Sequence, residues 1–312
     1  MGIANPENAT TLATGQVLAT HALRDDLMAV LFPRGGVLPS ELLQSRVKLK
    51  LQVLTSGLEM ALLDTGVQQL RSWDLLSESG LLREPALIDF ALSRIAEDRL
   101  RHNIQIASES SLLAQLPVAL LGHKNDRLSE MARRLLHAEQ ISVFDDGLLY
   151  RRLGNETLHM LCWRVVAALL ECNAAQKGAL TAAAQALLSA QDEAVNPSAI
   201  ARKLVFFLGQ EYRAELVDPG KAGLQLFVAS LDQEYGLGSD FLLRVIGGDD
   251  GAPLLLLLKG QNLTVDAATG IMSVLHPNGG DLATLEWQRC YQTIDTVDAR
   301  AAIGSWTDGL AE

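Results

Sequence analysis

Between positions 39 and 63 the apolar side chains fall at Leu43, Val47, Leu51, Leu54, Leu58 and Leu62. Steps of three and four residues keep them on one face of a helix and put Lys48, Gln52, Ser56 and Glu59 on the other. Pro39 or Ser40 suits the start, because the first turn has no use for the donor that proline lacks. A second stripe, Ile88, Leu92, Ala96, Leu100 and Ile104, predicts a helix over 85–106. Glu97 and Arg101 sit one turn apart on its expected wet side, in the favourable order. Helices over 110–121 and 126–141 then flank the turn Gly122-His123-Lys124-Asn125, and so short a connection packs them antiparallel.

The segment 155–172 differs in kind. Leu158, Leu161, Cys162, Val165, Leu169 and Cys172 form a stripe, and Trp163, Val166, Ala167 and Leu170 fill most of the remainder. A helix apolar nearly all round is buried on several sides, so Cys162 and Trp163 are expected in the core of a central helix. An Ala-rich helix follows over 178–191, and Asn196-Pro197 starts another. Val205-Phe206-Phe207-Leu208 has strand composition, but its neighbours favour helix. Beyond Asp218-Pro219-Gly220 about five short helices are expected. Their punctuation includes Gly236, Gly238, the Gly247-to-Gly251 loop, Pro253, Asn262 and Pro277-Asn278-Gly279-Gly280. Thr264 is placed to cap the helix carrying Val265, Ala268, Ile271, Met272 and Leu275.

Few alternating runs of strand type occur, so the fold class is all-α. Helix pairs at roughly 35–45 residues per pair suggest stacked antiparallel hairpins of HEAT-like form, set against an irregular helical bundle. Charge suggests two modules. Residues 210–312 hold 15 Asp/Glu against 6 Lys/Arg, whereas 1–209 hold 22 against 20, so most of the chain's net −11 lies in the last third. The expected division is an N-terminal helical module, 1–209, and a C-terminal acidic module of short helices, 210–312.

That acidity disfavours nucleic acid and anionic lipid as partners. Residues 94–152 carry nine arginines and lysines against eight carboxylates. A local excess of one is too weak to hold a polyanion, but an Arg-rich mixed surface suits carboxylate pairing with a protein. A protein partner or self-association is therefore expected. No leader sequence is expected either: residues 1–14 have neither a basic start nor a continuous apolar run. The longest aliphatic run, Leu254 to Leu258, is far short of the ~20 residues that cross a bilayer. Cys162, Cys172 and Cys290, odd in number and without CxxC spacing, point to reduced thiols and a cytoplasmic setting.

The order of segments resembles the bacterial family called domain of unknown function 2336, found largely in alphaproteobacteria. Three stretches carry the likeness: Gly80-Leu81-Leu82-Arg83-Glu84-Pro85-Ala86-Leu87 leading to Ala96-Glu97-Asp98-Arg99-Leu100; Leu153 through Leu169, centred on Trp163-Arg164-Val165-Val166-Ala167-Ala168; and Phe241 through Ile303, with Leu254-Leu255-Leu256-Leu257 before a Thr264-led helix. The resemblance implies a helical, HEAT-like fold in a bacterial cytoplasm and lends no activity.

Catalytic signatures are missing. His21, His102, His123, His137, His159 and His276 show no HExxH or paired His/Cys spacing. His102 and His137 reach Glu97 or Glu139 only through tertiary contact, and surface histidines are the plainer reading. His159, near Arg164 on the polar edge of the central helix, is the candidate site, since phosphotransfer proteins display a reactive His on a helical bundle. Its neighbours Met-Leu-Cys-Trp lack the small and basic character such a site needs, which favours a buried, hydrogen-bonded His. Gly247-Gly248-Asp249-Asp250-Gly251 has no Lys-Ser/Thr after it, lacks EF-hand spacing, and would repel phosphate. The adjacent pairs Asp25-Asp26 and Asp145-Asp146 diverge around a helix and make no acid/base dyad. No cofactor and no metal are expected. The leading function is a non-enzymatic scaffold or regulatory protein that binds protein. The alternative is a phosphotransfer-type signalling protein, or an enzyme whose site is assembled tertiarily.

Overall fold

The computed structural model describes residues 41–64, 72–80, 83–107, 115–144, 146–172, 174–248, 251–277 and 280–308. Several predicted features lie outside them: residues 1–14, His21, Asp25-Asp26, Pro39, Ser40, 110–114, Asp145, Asp249-Asp250 and Asn278-Gly279. Among the described residues there are sixteen α-helices, four 3-10 turns and no strand, so the chain is all-α.

Packing divides the chain into two compact units. The first takes its described residues from Ala96–Arg133 and Ala201–Glu312, the second from Leu23–Ile95 and Arg134–Ile200. The acidic segment 210–312 falls in the first unit, together with 96–133 and 201–209.

The second unit is built on α1 (Glu41–Leu63), whose predicted stripe Val47, Leu51, Leu54, Leu58 and Leu62 is buried. Two residues assigned to its wet face are buried as well, Ser56 and Glu59. Glu59, 1% exposed, accepts the Ser72 backbone N–H at 3.0 Å and its hydroxyl at 2.7 Å. It thereby anchors the start of the short helix α2 (Trp73–Glu78). A buried carboxylate is tolerated only with such donors. Elsewhere on α1 Gly57 meets the 3-10 turn Asp146–Arg152 so closely that an added Cβ would overlap the Gly147 carbonyl oxygen. α3 (Pro85–Ala107) gives this unit Leu87, Ile88, Phe90, Ala91 and Leu92.

α4 (Gln115–Leu120) and α5 (Asp126–Phe144), the latter in the first unit as far as Arg133, are joined by the predicted turn, where Ser129 donates to Leu121 O at 2.6 Å. In the second unit α6 (Asn155–Cys172) packs against α1, α2 and the Ala-rich α7 (Lys177–Ala190), which confirms its central place there. Leu158, Leu161, Cys162, Val165 and Leu169 are buried. Two expectations need correction: Trp163 is only half-buried and Cys172 is exposed. The helix buries one broad face rather than its whole circumference; Trp163 lies beyond the edge of that face, and Cys172 is the helix's last residue.

Val205-Phe206-Phe207-Leu208 is helical, within α8 (Pro197–Leu208). In the first unit come α9 (Arg213–Leu216), α10 (Pro219–Ala222), α11 (Leu224–Tyr235), α12 (Ser239–Ile246), α13 (Ala252–Gly260), α14 (Val265–Leu275), α15 (Gly280–Thr293) and α16 (Thr296–Asp308). Six helices thus follow α10, against about five expected. Thr264 caps α14 by accepting the Ala267 N–H, and Gly236 closes α11 in the left-handed region at φ 68°.

The centre of this unit is α13, whose Leu254 to Leu258 are all buried and which packs against α12, α14, α15 and α16. The last carbonyls of a helix have no partners of their own, and a buried end must find them elsewhere. Here Gln261 and Asn262 N–H groups reach Leu257 O and Lys259 O, and side chains of three neighbouring helices add further donors. Tyr235 OH donates to Leu257 O at 2.7 Å, and Arg300 Nε to Gly260 O at 2.9 Å. Tyr291 OH donates to Leu263 O at 2.7 Å, just past the helix. Asn262 takes φ 59° at this exit. Burial pushes the Tyr291 hydroxyl up to about 12 and Tyr235 higher still.

Candidate functional site

The structure does not bring together the two residues singled out from sequence, His159 and Arg164. His159 is exposed rather than buried, and its Nε2 accepts the Trp163 indole N–H at 3.1 Å. The rings meet edge to face at 6.2 Å. One turn of helix spaces these partners, so the pair is a local helix-surface contact. Arg164 is exposed as well. It stands five residues from His159, roughly 140° around a 3.6-residue helix, and therefore faces elsewhere. Access to His159 is open, but Arg164 is not beside it to neutralise a phosphoryl group.

The other candidates are similarly dispersed. His102 and His137 are exposed on their helices. Glu97, expected on the wet side of α3, is 1% exposed; it pairs with Arg101 at 2.9 Å and accepts from Gln225 Nε2 at 2.7 Å. Its carboxylate is committed to holding α3 and α11 together. Burial raises the Cys162 thiol to about 11, and burial and then Glu286 raise Cys290, so both are held as thiols at neutral pH. Among the described residues no group of three or more His, Cys, Asp or Glu is placed to hold a metal. No described helix is long and apolar enough to cross a membrane.

A surface of different character lies on α8. Its inner face is filled by Ile200, Ala201, Leu204, Val205 and Leu208, all buried. Phe206 and Phe207 are surplus to that face and project outward, 68% and 39% exposed. Their rings meet edge to face at 5.5 Å. The Arg127 guanidinium, from the first turn of α5, lies 4.0 Å from the Phe207 ring centroid. Gly209, at φ 58°, ends α8 and leads into the 3-10 turn Gly209–Tyr212, where Tyr212 meets His123 edge to face at 6.5 Å. Leaving a Phe side chain in water forgoes roughly 1.5–3 kcal/mol of burial. The stacked arginine returns only ~0.5–1 kcal/mol at an exposed position.

The sequence held one signal for this surface. Ile200, Leu204 and Leu208 already complete a helical stripe, so two adjacent phenylalanines between the last two had to include one facing out. No family model, curated protein or solved structure matches the chain.

Proposed function

We propose that this chain is a non-enzymatic helical scaffold or regulatory protein that acts by binding another protein, and that the α8 surface is where it binds. The observation that carries the reading is the exposed Phe206–Phe207 pair with Arg127 stacked on it. Aromatic side chains and arginine are the residues that anchor protein interfaces, because they combine large apolar area with directional donors. Among the described residues Arg127 has no ion pair, so its donors face a partner unpaired by them. The reading also takes up the resemblance to domain of unknown function 2336, with its bacterial cytoplasmic setting and HEAT-like stacking of helix pairs. The net charge of −11 supports a protein partner over nucleic acid.

The test is site-directed photocrosslinking in the native host, with a photoreactive phenylalanine analogue in place of Phe206. A discrete heavier adduct is expected, and it should vanish when Arg127→Glu is added. Absence of any adduct at position 206, with the chain present at normal abundance, would refute the reading.

A further inference from the structure

The α8 surface also carries charge, and its excess is opposite in sign to the net −11 of the whole chain. Lys203 precedes Phe206 by three residues and Phe207 by four, which puts it on their face. Arg202 lies one turn before Phe206; it pairs with Asp232 at 3.0 Å yet stays 59% exposed. Lys124 stands three residues ahead of Arg127, on the turn into α5. Among the described residues no ion pair holds Lys124, Arg127 or Lys203. With the Arg202–Asp232 pair set aside, 122–127 and 202–212 hold three Lys/Arg against two carboxylates, Asp126 and Glu211, in a chain that holds 26 against 37. Fields between exposed charges fade over ~8 Å at physiological ionic strength, so a docking segment meets this local excess and not the chain's total.

We propose that the surface recognises a carboxylate-rich segment of another protein that carries a large apolar side chain. The proposal rests on the protein-binding reading above and names the chemistry of the partner. The apolar side chain covers Phe206 and Phe207. Carboxylates take the N–H edge of Arg127 and the Lys203 ammonium. The Phe207 ring restrains the guanidinium plane 4.0 Å away, which leaves its fork ready for a bidentate carboxylate at little further cost in entropy. A second copy of this chain is disfavoured as occupant, because two chains at −11 repel each other. RNA is disfavoured because an excess of one cation releases too few counterions to hold a polyanion.

Random peptide display on the full chain, run in parallel on Phe206→Ala and Lys203→Glu, tests this. Both residues are exposed, so the variants are expected to fold, and matched thermal melts check that they do. Peptides enriched on the parent should carry Leu, Ile, Phe or Trp flanked by Asp or Glu. Labelled with fluorescein, such a peptide should bind Phe206→Ala roughly ten-fold more weakly, as befits loss of an aromatic anchor. Lys203→Glu should shift the selection away from acidic flanks. Peptides that need Phe206 but show no acidic preference overturn the inference and leave the protein-binding reading standing. No Phe206-dependent peptide at all overturns both. Tighter binding of oligouridylate than of any selected peptide, or a dimer that Phe206→Ala dissolves, replaces the proposed partner with RNA or with a second copy.

Discussion

Gly57→Ala pits two well-measured effects against each other at one position. Gly57 lies in the interior of α1, between buried Ser56 and Leu58. By helix propensity alone, alanine should gain ~1 kcal/mol over glycine there. The new Cβ, however, would overlap the Gly147 carbonyl oxygen and lie 3.0 Å from its carbon and 3.3 Å from its Cα. All three are backbone atoms, so no side chain can swing aside, and either α1 or the 3-10 turn Asp146–Arg152 must retreat. Such overpacking costs about 1–3 kcal/mol and sometimes more, and a backbone overlap this close belongs at the upper end. The net expectation is a loss of roughly 2 kcal/mol. Gly270→Ala and Gly304→Ala are the controls: both are exposed helical glycines whose Cβ would meet nothing within 4 Å. Each should gain roughly 0.5–1 kcal/mol. Urea titration followed by far-UV circular dichroism reads all three as shifts in midpoint. If Gly57→Ala moves the midpoint up as the controls do, the close approach of α1 to the turn is wrong.

Three further outcomes follow from the packing. Tyr291→Phe leaves the Leu263 carbonyl without its side-chain donor and should cost ~1–3 kcal/mol in a urea melt. The same hydroxyl has an alkaline signature: its pKa is raised from 10.0 to about 12 in the fold, so its contribution is whole below pH 10 and is lost as pH climbs toward 12; Tyr291→Phe should flatten the decline in that window. Leu161→Ala should cost ~2–5 kcal/mol, while half-buried Trp163→Ala should stay below the ~3 kcal/mol floor of a fully buried aromatic, and equal losses would put Trp163 in the core after all. Iodoacetamide at neutral pH should label Cys172 in the native chain well before Cys162 or Cys290, with peptide mass mapping as the readout.

The helices were legible because burial of an aliphatic stripe is a periodic signal. Val47, Leu51, Leu54, Leu58 and Leu62 announce α1 as plainly in sequence as in the structure, and Thr264 announces the start of α14 by its place before Val265. Buried charge was not legible. Glu59 and Glu97 sit beside their apolar stripes, and a pattern reading sends every carboxylate to water. What overrides it is a distant partner: Ser72, 13 residues on, for Glu59, and Gln225, 128 residues on, for Glu97. The capping of α13 was hidden for the same reason, since Tyr235, Tyr291 and Arg300 reach its carbonyls from helices whose placement is a tertiary fact. His159 went wrong in the opposite direction. A helix rich in apolar residues suggested burial all round, but a narrower buried face suffices, and His159 and Trp163 fall outside it.

The contrast between the two kinds of polar group separates what holds the fold from what is left to act. Glu59, Glu97, Tyr235, Tyr291 and Arg300 each have a partner within the chain at 3.1 Å or closer, and removing one strands a donor or acceptor inside the protein. They are spent on stability. Arg127 and Lys203 have no anionic partner, and Phe206 has no core to enter, so removing any of them leaves nothing buried and unsatisfied. A fold gains little from such residues where they stand. Two adjacent phenylalanines at one end of α8, one of them under a stacked guanidinium, carry a cost in exposed apolar area that the intramolecular contacts do not offset. That deficit is what the proposed partner would remove.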